Sequence, residues 1–266
     1  MSAFIGSLHP VLGEWDAWAA NLHKDSDYLL SWQLPAVALP CYLLVVAVLK
    51  IATDRMDKPF ELKPALILHN GFLCILSFAM AFFTLAESLF NAQWSLDQLY
   101  CDSNYEVLTG RLWFWCFVFY LSKYLEFLDT VLLLLRKRPL LFLHVWHHSS
   151  IAVLCLLFMR TGTTFYWSGV VINATIHTFM YYYYAIASLG RTVSWKKWMT
   201  KGQLIQFCWG ISSWVPYLFV CPNVSDESYR LQFINWGVLG SYLVLFMLFF
   251  RKTYSASKSA KGKKKQ

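Results

Sequence analysis

The chain is written in long apolar blocks separated by short polar stretches. Seven runs of roughly 20 predominantly apolar residues recur, at about 30–50, 66–86, 112–135, 140–159, 165–187, 203–220 and 231–250. At ~1.5 Å per residue, each run is about long enough to cross the hydrocarbon layer of a bilayer as a helix. Hydrophobicity is sustained along each run instead of alternating residue by residue, which predicts helices and not the strands of a barrel. The expected fold is an all-α membrane protein with seven transmembrane helices over residues 30–250. Residues 1–29 carry Glu14, Asp16, Asp25 and Asp27 and no basic region leading into an apolar core. They read as a short N-terminal lead-in segment and not as a secretory signal. Residues 251–266 form a basic tail.

Composition agrees with the pattern. Of 266 residues, 58% are hydrophobic and only 14% charged, against about 25% charged in a soluble domain. Charge then sets an orientation, because basic residues accumulate on the cytosolic side. Lys50, Arg55, Lys58 and Lys63 flank one loop, and Arg136, Lys137 and Arg138 fill the next on that side. Arg191, Lys196, Lys197 and Lys201 fill the third, and the tail from Arg251 holds seven more. Eighteen of the 23 basic residues therefore share one face, while Glu87, Asp97, Asp102, Glu106, Asp226 and Glu227 lie on the other. This predicts a cytosolic C-terminus and a lumenal N-terminus. The net charge of +8 expresses this asymmetry. The basic residues sit at helix ends and not on one soluble face, so a nucleic-acid partner is not expected.

Five cysteines, Cys41, Cys74, Cys116, Cys155 and Cys208, fall inside apolar runs and read as small apolar residues. Cys101 and Cys221 fall in lumenal loops, where an oxidising compartment either joins them or leaves two free thiols. Asn223-Val224-Ser225 is a glycosylation sequon in a lumenal loop, whereas Asn173-Ala174-Thr175 lies inside a run. Lys263-Lys264-Lys265-Gln266 has the form of a di-lysine retrieval signal of endoplasmic-reticulum membrane proteins.

Several polar groups interrupt the apolar runs, and ionisable residues at membrane depth point to function. His144, His147 and His148 share one helix face at i, i+3 and i+4. His177 lies on the next run. Lys123, Glu126 and Asp129 repeat every three residues as one polar stripe. Lys123 and Glu126 read as an ion pair that either positions helices or meets substrate, and Asp129 as a carboxylate that fixes a histidine tautomer. Gln203 and Gln206 open the sixth run. Counted from the basic ends, all these groups converge on the cytosolic half, with Asp129 and His147 about 10 Å deep and His177 about 20 Å. One buried site is expected. Its histidines could ligate metal, serve acyl chemistry as acid, base or nucleophile, or simply pack. His69, alone in the second run, reads as a packing residue.

Taken in order, Lys123-x-x-Glu126-x-x-Asp129-Thr130, His144-x-x-His147-His148, Asn173-x-x-x-His177-x-x-Met180-Tyr181-x-Tyr183-Tyr184 and Thr200-x-x-Gln203-x-x-Gln206-Phe207 resemble the motifs of the fatty acid elongase family. Lys58-Pro59-Phe60-Glu61-Leu62-Lys63 resembles its first cytosolic loop. The likeness runs from about residue 55 to residue 250. It implies a membrane-embedded 3-ketoacyl-CoA synthase of the endoplasmic reticulum. Six of its seven helices would surround a narrow acyl-chain tunnel closed at the lumenal end. The implied reaction condenses a long-chain acyl-CoA with malonyl-CoA, releases CO2 and free CoA, and needs no cofactor or metal beyond the CoA thioesters. The implied partners are membrane lipid, a ketoacyl-CoA reductase, a hydroxyacyl-CoA dehydratase and an enoyl-CoA reductase; a homodimer fits the resemblance as well.

The resemblance also implies roles. His147 would carry the acyl group as an acyl-imidazole, and His177 would face it. His144 and His148 would orient groups or stabilise the oxyanion. Tyr181, Tyr184, Asn173, Gln203 and Gln206 would line the site. Lys58, Lys63, Arg136, Lys137 and Arg138, at the basic mouth, read either as positive-inside anchors or together as a landing site for the phosphates of CoA. Cys101 and Cys221 would form the family's lumenal disulfide. The Val145-Trp146 pair resembles members that act on unsaturated chains. Cys155 lies on the face of His148 but about two turns deeper, too far to bond to that box directly. Two rivals stand beside this reading. A membrane di-iron desaturase or hydroxylase would need about eight histidine ligands, and a non-enzymatic lipid-binding protein would leave the histidines without a task.

Overall fold

A computed structural model describes residues 13–15, 17–19, 21–23, 26–101, 107–221 and 224–254. Asn223 and the tail from Ser255, with its sequence signals, lie outside the described residues. The described chain is all-helical, with no strand among the described residues. Its helices are α1 (Gln33–Asp54), α2 (Lys63–Asn91), α3 (Leu96–Tyr100), α4 (Gly110–Leu125), α5 (Phe127–Leu135), α6 (Phe142–Thr161), α7 (Tyr166–Ser188), α8 (Lys196–Ser212), α9 (Trp214–Val220) and α10 (Asp226–Tyr254). A helix or helix pair covers each of the seven apolar runs. By length and composition, α1, α2, α6 and α10 are long and apolar enough to cross a membrane.

Local chemistry explains the boundaries. Pro64 opens α2, where its missing N–H is harmless. Gly162 takes the left-handed conformation, φ +63°, that ends α6. Ser225 Oγ accepts from Ser228 N at 3.1 Å before α10, and Asp226 and Glu227 occupy its first turn. Arg251 and Lys252 occupy its last turn, so both ends complement the helix dipole. This extends the helix beyond the run read from hydrophobicity alone.

Two expected continuous helices are broken. The third run divides at Glu126, where Asp129 N bonds back only three residues, to Glu126 O, at 3.0 Å. The sixth divides at Ser213, because Pro216 has no N–H to give the Ser212 carbonyl. Glu87 and Arg111, each one residue outside its apolar run, lie in α2 and α4 and neutralise each other in a buried pair at 3.0 Å.

Helix packing closes a ring. α2 lies against α7, α7 against α8, α8 against α10, α10 against α6, α6 against α4, and α4 against α2. α1 stands outside this ring, against α5 and α6. One end of the ring carries Arg136, Arg138 and Lys196. The other is filled by aromatic rings: Phe158 stacks on Tyr166 at 4.9 Å, and Trp214 meets Phe165 at 5.0 Å. At that same end a disulfide joins Cys101 to Cys221, with Cα atoms 5.1 Å apart and the two cysteines 120 positions apart in the chain. Closing so long a loop restricts the unfolded chain. Cys101→Ala is therefore expected to remove about 2–5 kcal/mol of stability. Thermal unfolding of the detergent-solubilised protein reads this as a lower midpoint, and an unchanged midpoint contradicts it.

Candidate active site

The short helix α5 places two polar side chains, Asp129 and Thr130, toward different neighbours. Asp129 Oδ1 meets His69 Nε2 of α2 at 2.7 Å, and Asp129 Oδ2 accepts from the Tyr181 hydroxyl of α7 at 2.7 Å. Thr130 Oγ1 lies 2.8 Å from His144 Nε2 of α6 and 2.9 Å from the Tyr42 hydroxyl of α1. Two histidines from separate helices are thus held by adjacent residues of one turn. This corrects one expectation. His69 is no mere packing residue, because it pairs with Asp129. The histidine that Asp129 holds is His69, while His144 takes the neighbouring threonine.

A second polar layer lies behind this one. Lys123 Nζ donates to Glu126 Oε1 at 2.7 Å and to Asn173 Oδ1 at 3.4 Å, and sits 4.0 Å above the Phe119 ring. His177 Nδ1 lies 3.6 Å from the same Glu126 oxygen. Lys123 and Glu126 are 1% and 2% exposed, so they pair with each other inside the protein. Glu126 faces Nδ1 of His177 and so leaves the other ring nitrogen, Nε2, for other contacts.

The histidine box forms a cluster on α6. The His144 and His148 rings are 4.3 Å apart, and the His147 and His148 rings 5.4 Å apart. Tyr242 of α10 is fully buried against it. Its ring lies 5.0 Å from His147, and its hydroxyl reaches the His147 carbonyl at 3.3 Å and Ser150 Oγ at 2.7 Å. Trp146 turns outward and donates to Ser241 Oγ at 2.8 Å.

These elements enclose a cavity of about 680 Å³, the size of a small-molecule site. His69, Asp129, His144, His147, His148 and His177 all line it, as do Asn173, Tyr181, Tyr184, Gln203 and Gln206. Arg136, Arg138 and Lys196 line its basic end. Lys123, Glu126, Lys58, Lys63 and Lys137 stand outside the lining. Lys137 instead donates to the Met56 carbonyl and ties together the two loops at that end.

A smaller cavity of about 80 Å³ continues toward the aromatic end and shares Asn173, Gln206 and Phe207 with the first. Phe158, Tyr166 and Trp214 border it. His148 Nδ1 and Gln206 Oε1 are buried without a hydrogen-bond partner among the described residues. Such atoms cost about 1–3 kcal/mol unless something satisfies them, and both residues line the large cavity. Among the described residues, no group of three or more His, Cys, Asp or Glu is arranged to hold a metal ion.

Three residues here escape sequence reasoning. His69, Tyr42 and Tyr242 each sit singly in an apolar run, and only their distant partners reveal them. Asn173, whose sequon is buried in α7, is 8% exposed and bonded to Lys123.

Comparison with known proteins follows the same residues. The profile of the ELO (GNS1/SUR4) family matches residues 28–263. A Dictyostelium discoideum protein with the provisional name of fatty acid elongase is 38% identical over 227 residues, covering 84% of this chain and 76% of its own. A provisionally named fatty acid elongase 1 of Schizosaccharomyces pombe is 35% identical over 246 residues, covering 88% and 73%. Fatty acid elongase sre1 of Dictyostelium discoideum is 32% identical over 255 residues, covering 91% and 92%. With the match covering nearly all of the ring and every side chain of the cavity, the chain belongs to the GNS1/SUR4 family.

Proposed function

We propose that this protein is the condensing enzyme of fatty acid elongation, a 3-oxoacyl-CoA synthase. It joins a long-chain acyl-CoA to malonyl-CoA, releases CO2 and CoA, and forms a 3-oxoacyl-CoA two carbons longer. The observation that carries this reading is one cavity in which five histidines meet. Cationic side chains stand at one end of it and an apolar extension at the other. The phosphates of CoA suit Arg136, Arg138 and Lys196. The acyl chain suits the extension, at about 0.8 kcal/mol per buried CH2.

In this reading a ring nitrogen of His147 attacks the thioester carbonyl. The carbon–sulfur bond breaks, the thiolate leaves with the imidazole proton, and an acyl-imidazole remains. Malonyl-CoA then loses CO2, and the released electron pair forms the new carbon–carbon bond at the acyl carbonyl. No strong base is needed, because decarboxylation makes the carbanion. Gln206, Gln203, His148 and Tyr184 line the cavity where an oxyanion forms, and donors fixed in advance stabilise it. The enclosing helices keep water from the acyl-imidazole.

The protein acts in the endoplasmic-reticulum membrane, with seven spans, its basic end cytosolic and its Cys101–Cys221 end lumenal. The disulfide supports this orientation, since such bonds persist in oxidising compartments. The 3-oxo product calls for a ketoacyl-CoA reductase, a hydroxyacyl-CoA dehydratase and an enoyl-CoA reductase to complete the cycle.

Purified protein supplied with malonyl-CoA labelled at its methylene carbon and a panel of acyl-CoAs tests the activity. Label in 3-oxoacyl-CoA with equal release of CO2 is expected; no labelled product contradicts it. The same assay reads chain length. A Cβ at Gly210 would meet Leu239 Cδ1 at 2.7 Å beside the smaller cavity. Gly210→Leu is expected to fill that space and shift products to shorter chains by mass spectrometry. An unchanged distribution contradicts placement of the chain there.

A further inference from the structure

His69 has no part in the reaction as written above, yet it is held as deliberately as the box histidines. It reaches the cavity from α2, 13% exposed, and its Nε2 is bonded to a carboxylate whose other oxygen takes a tyrosine hydroxyl. A carboxylate only accepts hydrogen bonds, so both His69 Nε2 and Tyr181 carry protons toward Asp129. Tyr181, bonded to the carboxylate oxygen that His69 leaves free, has its ring 5.6 Å from that of His177. The three groups therefore run from α2 through α5 to α7 in one hydrogen-bonded line.

The proposed condensation needs such a line. Acylation transfers the imidazole proton to the departing thiolate, which leaves as CoA. When the carbon–carbon bond forms, the imidazole leaves without a proton. Each turnover thus consumes one proton that neither substrate supplies. We infer that His69, Asp129 and Tyr181 form the path that brings this proton into the cavity, with His69 as its proton-holding member. The Tyr181 hydroxyl turns from Asp129 and releases its proton beside His177, protonated His69 gives its Nε2 proton to Asp129, and Asp129 passes one to the tyrosinate, so that the carboxylate and the phenol are both restored. Solvent water at the basic end of the cavity then restores the proton on His69. The inference rests on the condensation reading.

The test uses the full chain in detergent, with acyl-CoA and labelled malonyl-CoA, in light and heavy water. His69→Gln keeps an N–H for Asp129 but cannot carry the proton. Its kcat is expected to fall about a hundredfold, with the KM for acyl-CoA little changed and a larger solvent isotope effect. Tyr181→Phe cuts the same path, so His69→Gln combined with Tyr181→Phe is expected to be no slower than the slower single variant. Wild-type kcat and isotope effect in His69→Gln overturn the path, since a purely positioning hydrogen bond survives that change. Independent, multiplying losses in the double variant overturn it too. A wild-type chain that forms no product overturns the condensation reading itself.

Discussion

His147→Ala is expected to lower condensation by about a thousandfold or more while the protein stays folded in the membrane. The ring lines the cavity and, among the described residues, no hydrogen bond from it holds a neighbour, so alanine removes the proposed acyl acceptor and only ring packing against His148 and Tyr242. The backbone carbonyl that receives the Tyr242 hydroxyl is unchanged by the substitution. Loss of a covalent nucleophile lowers kcat, and the remaining cavity still binds substrate. Steady-state turnover with labelled malonyl-CoA measures the effect. A variant that turns over within about tenfold of wild type contradicts nucleophilic catalysis by this residue.

The second large effect concerns stability. Lys123 and Glu126 are a buried ion pair of 2.7 Å, almost wholly removed from solvent. Removing one member leaves the other charge uncompensated, at about 3–5 kcal/mol. Glu126→Leu strands Lys123 against Phe119 and removes the carboxylate that faces His177. A sharply lower unfolding midpoint is expected from that variant and from Lys123→Met alike. The double change, Lys123→Met with Glu126→Leu, is expected to recover much of the lost stability, because apolar residues of similar volume replace a buried pair at little net cost. It is expected to stay inactive, since His177 and Asn173 lose their partners. Unfolding followed by thermal scanning in detergent, with turnover beside it, reads both. Single variants as stable as wild type contradict a role for the pair in holding α4, α5 and α7 together.

Much of this architecture could be read before any coordinates. The seven apolar runs gave the helices because a bilayer demands that pattern and few soluble structures do. The box histidines, His177 and Asp129 were legible because a titratable group in an apolar run has few cheap explanations. The failures have a common cause. His69 and Asp129 are 60 residues apart, and Thr130 meets Tyr42 across 88. A lone histidine or tyrosine in a helix carries no sign of so remote a partner. The break at Glu126 was hidden because nothing in its flanking residues forbids a continuous helix. The break at Ser213 was announced by Pro216, a signal that hydrophobicity alone passes over. The Val145-Trp146 pair shows the opposite limit. Its sequence resembles a substrate determinant, yet Trp146 turns away from the cavity toward Ser241, so any effect on substrate passes through packing.

The most direct test withholds malonyl-CoA. Purified protein incubated with an acyl-CoA alone, then digested and sequenced by tandem mass spectrometry, is predicted to carry the acyl group on His147 with one CoA released per chain. Later addition of malonyl-CoA is predicted to remove that group as 3-oxoacyl-CoA. Protein that carries no acyl group on any cavity histidine, or an adduct that malonyl-CoA leaves in place, would contradict the account.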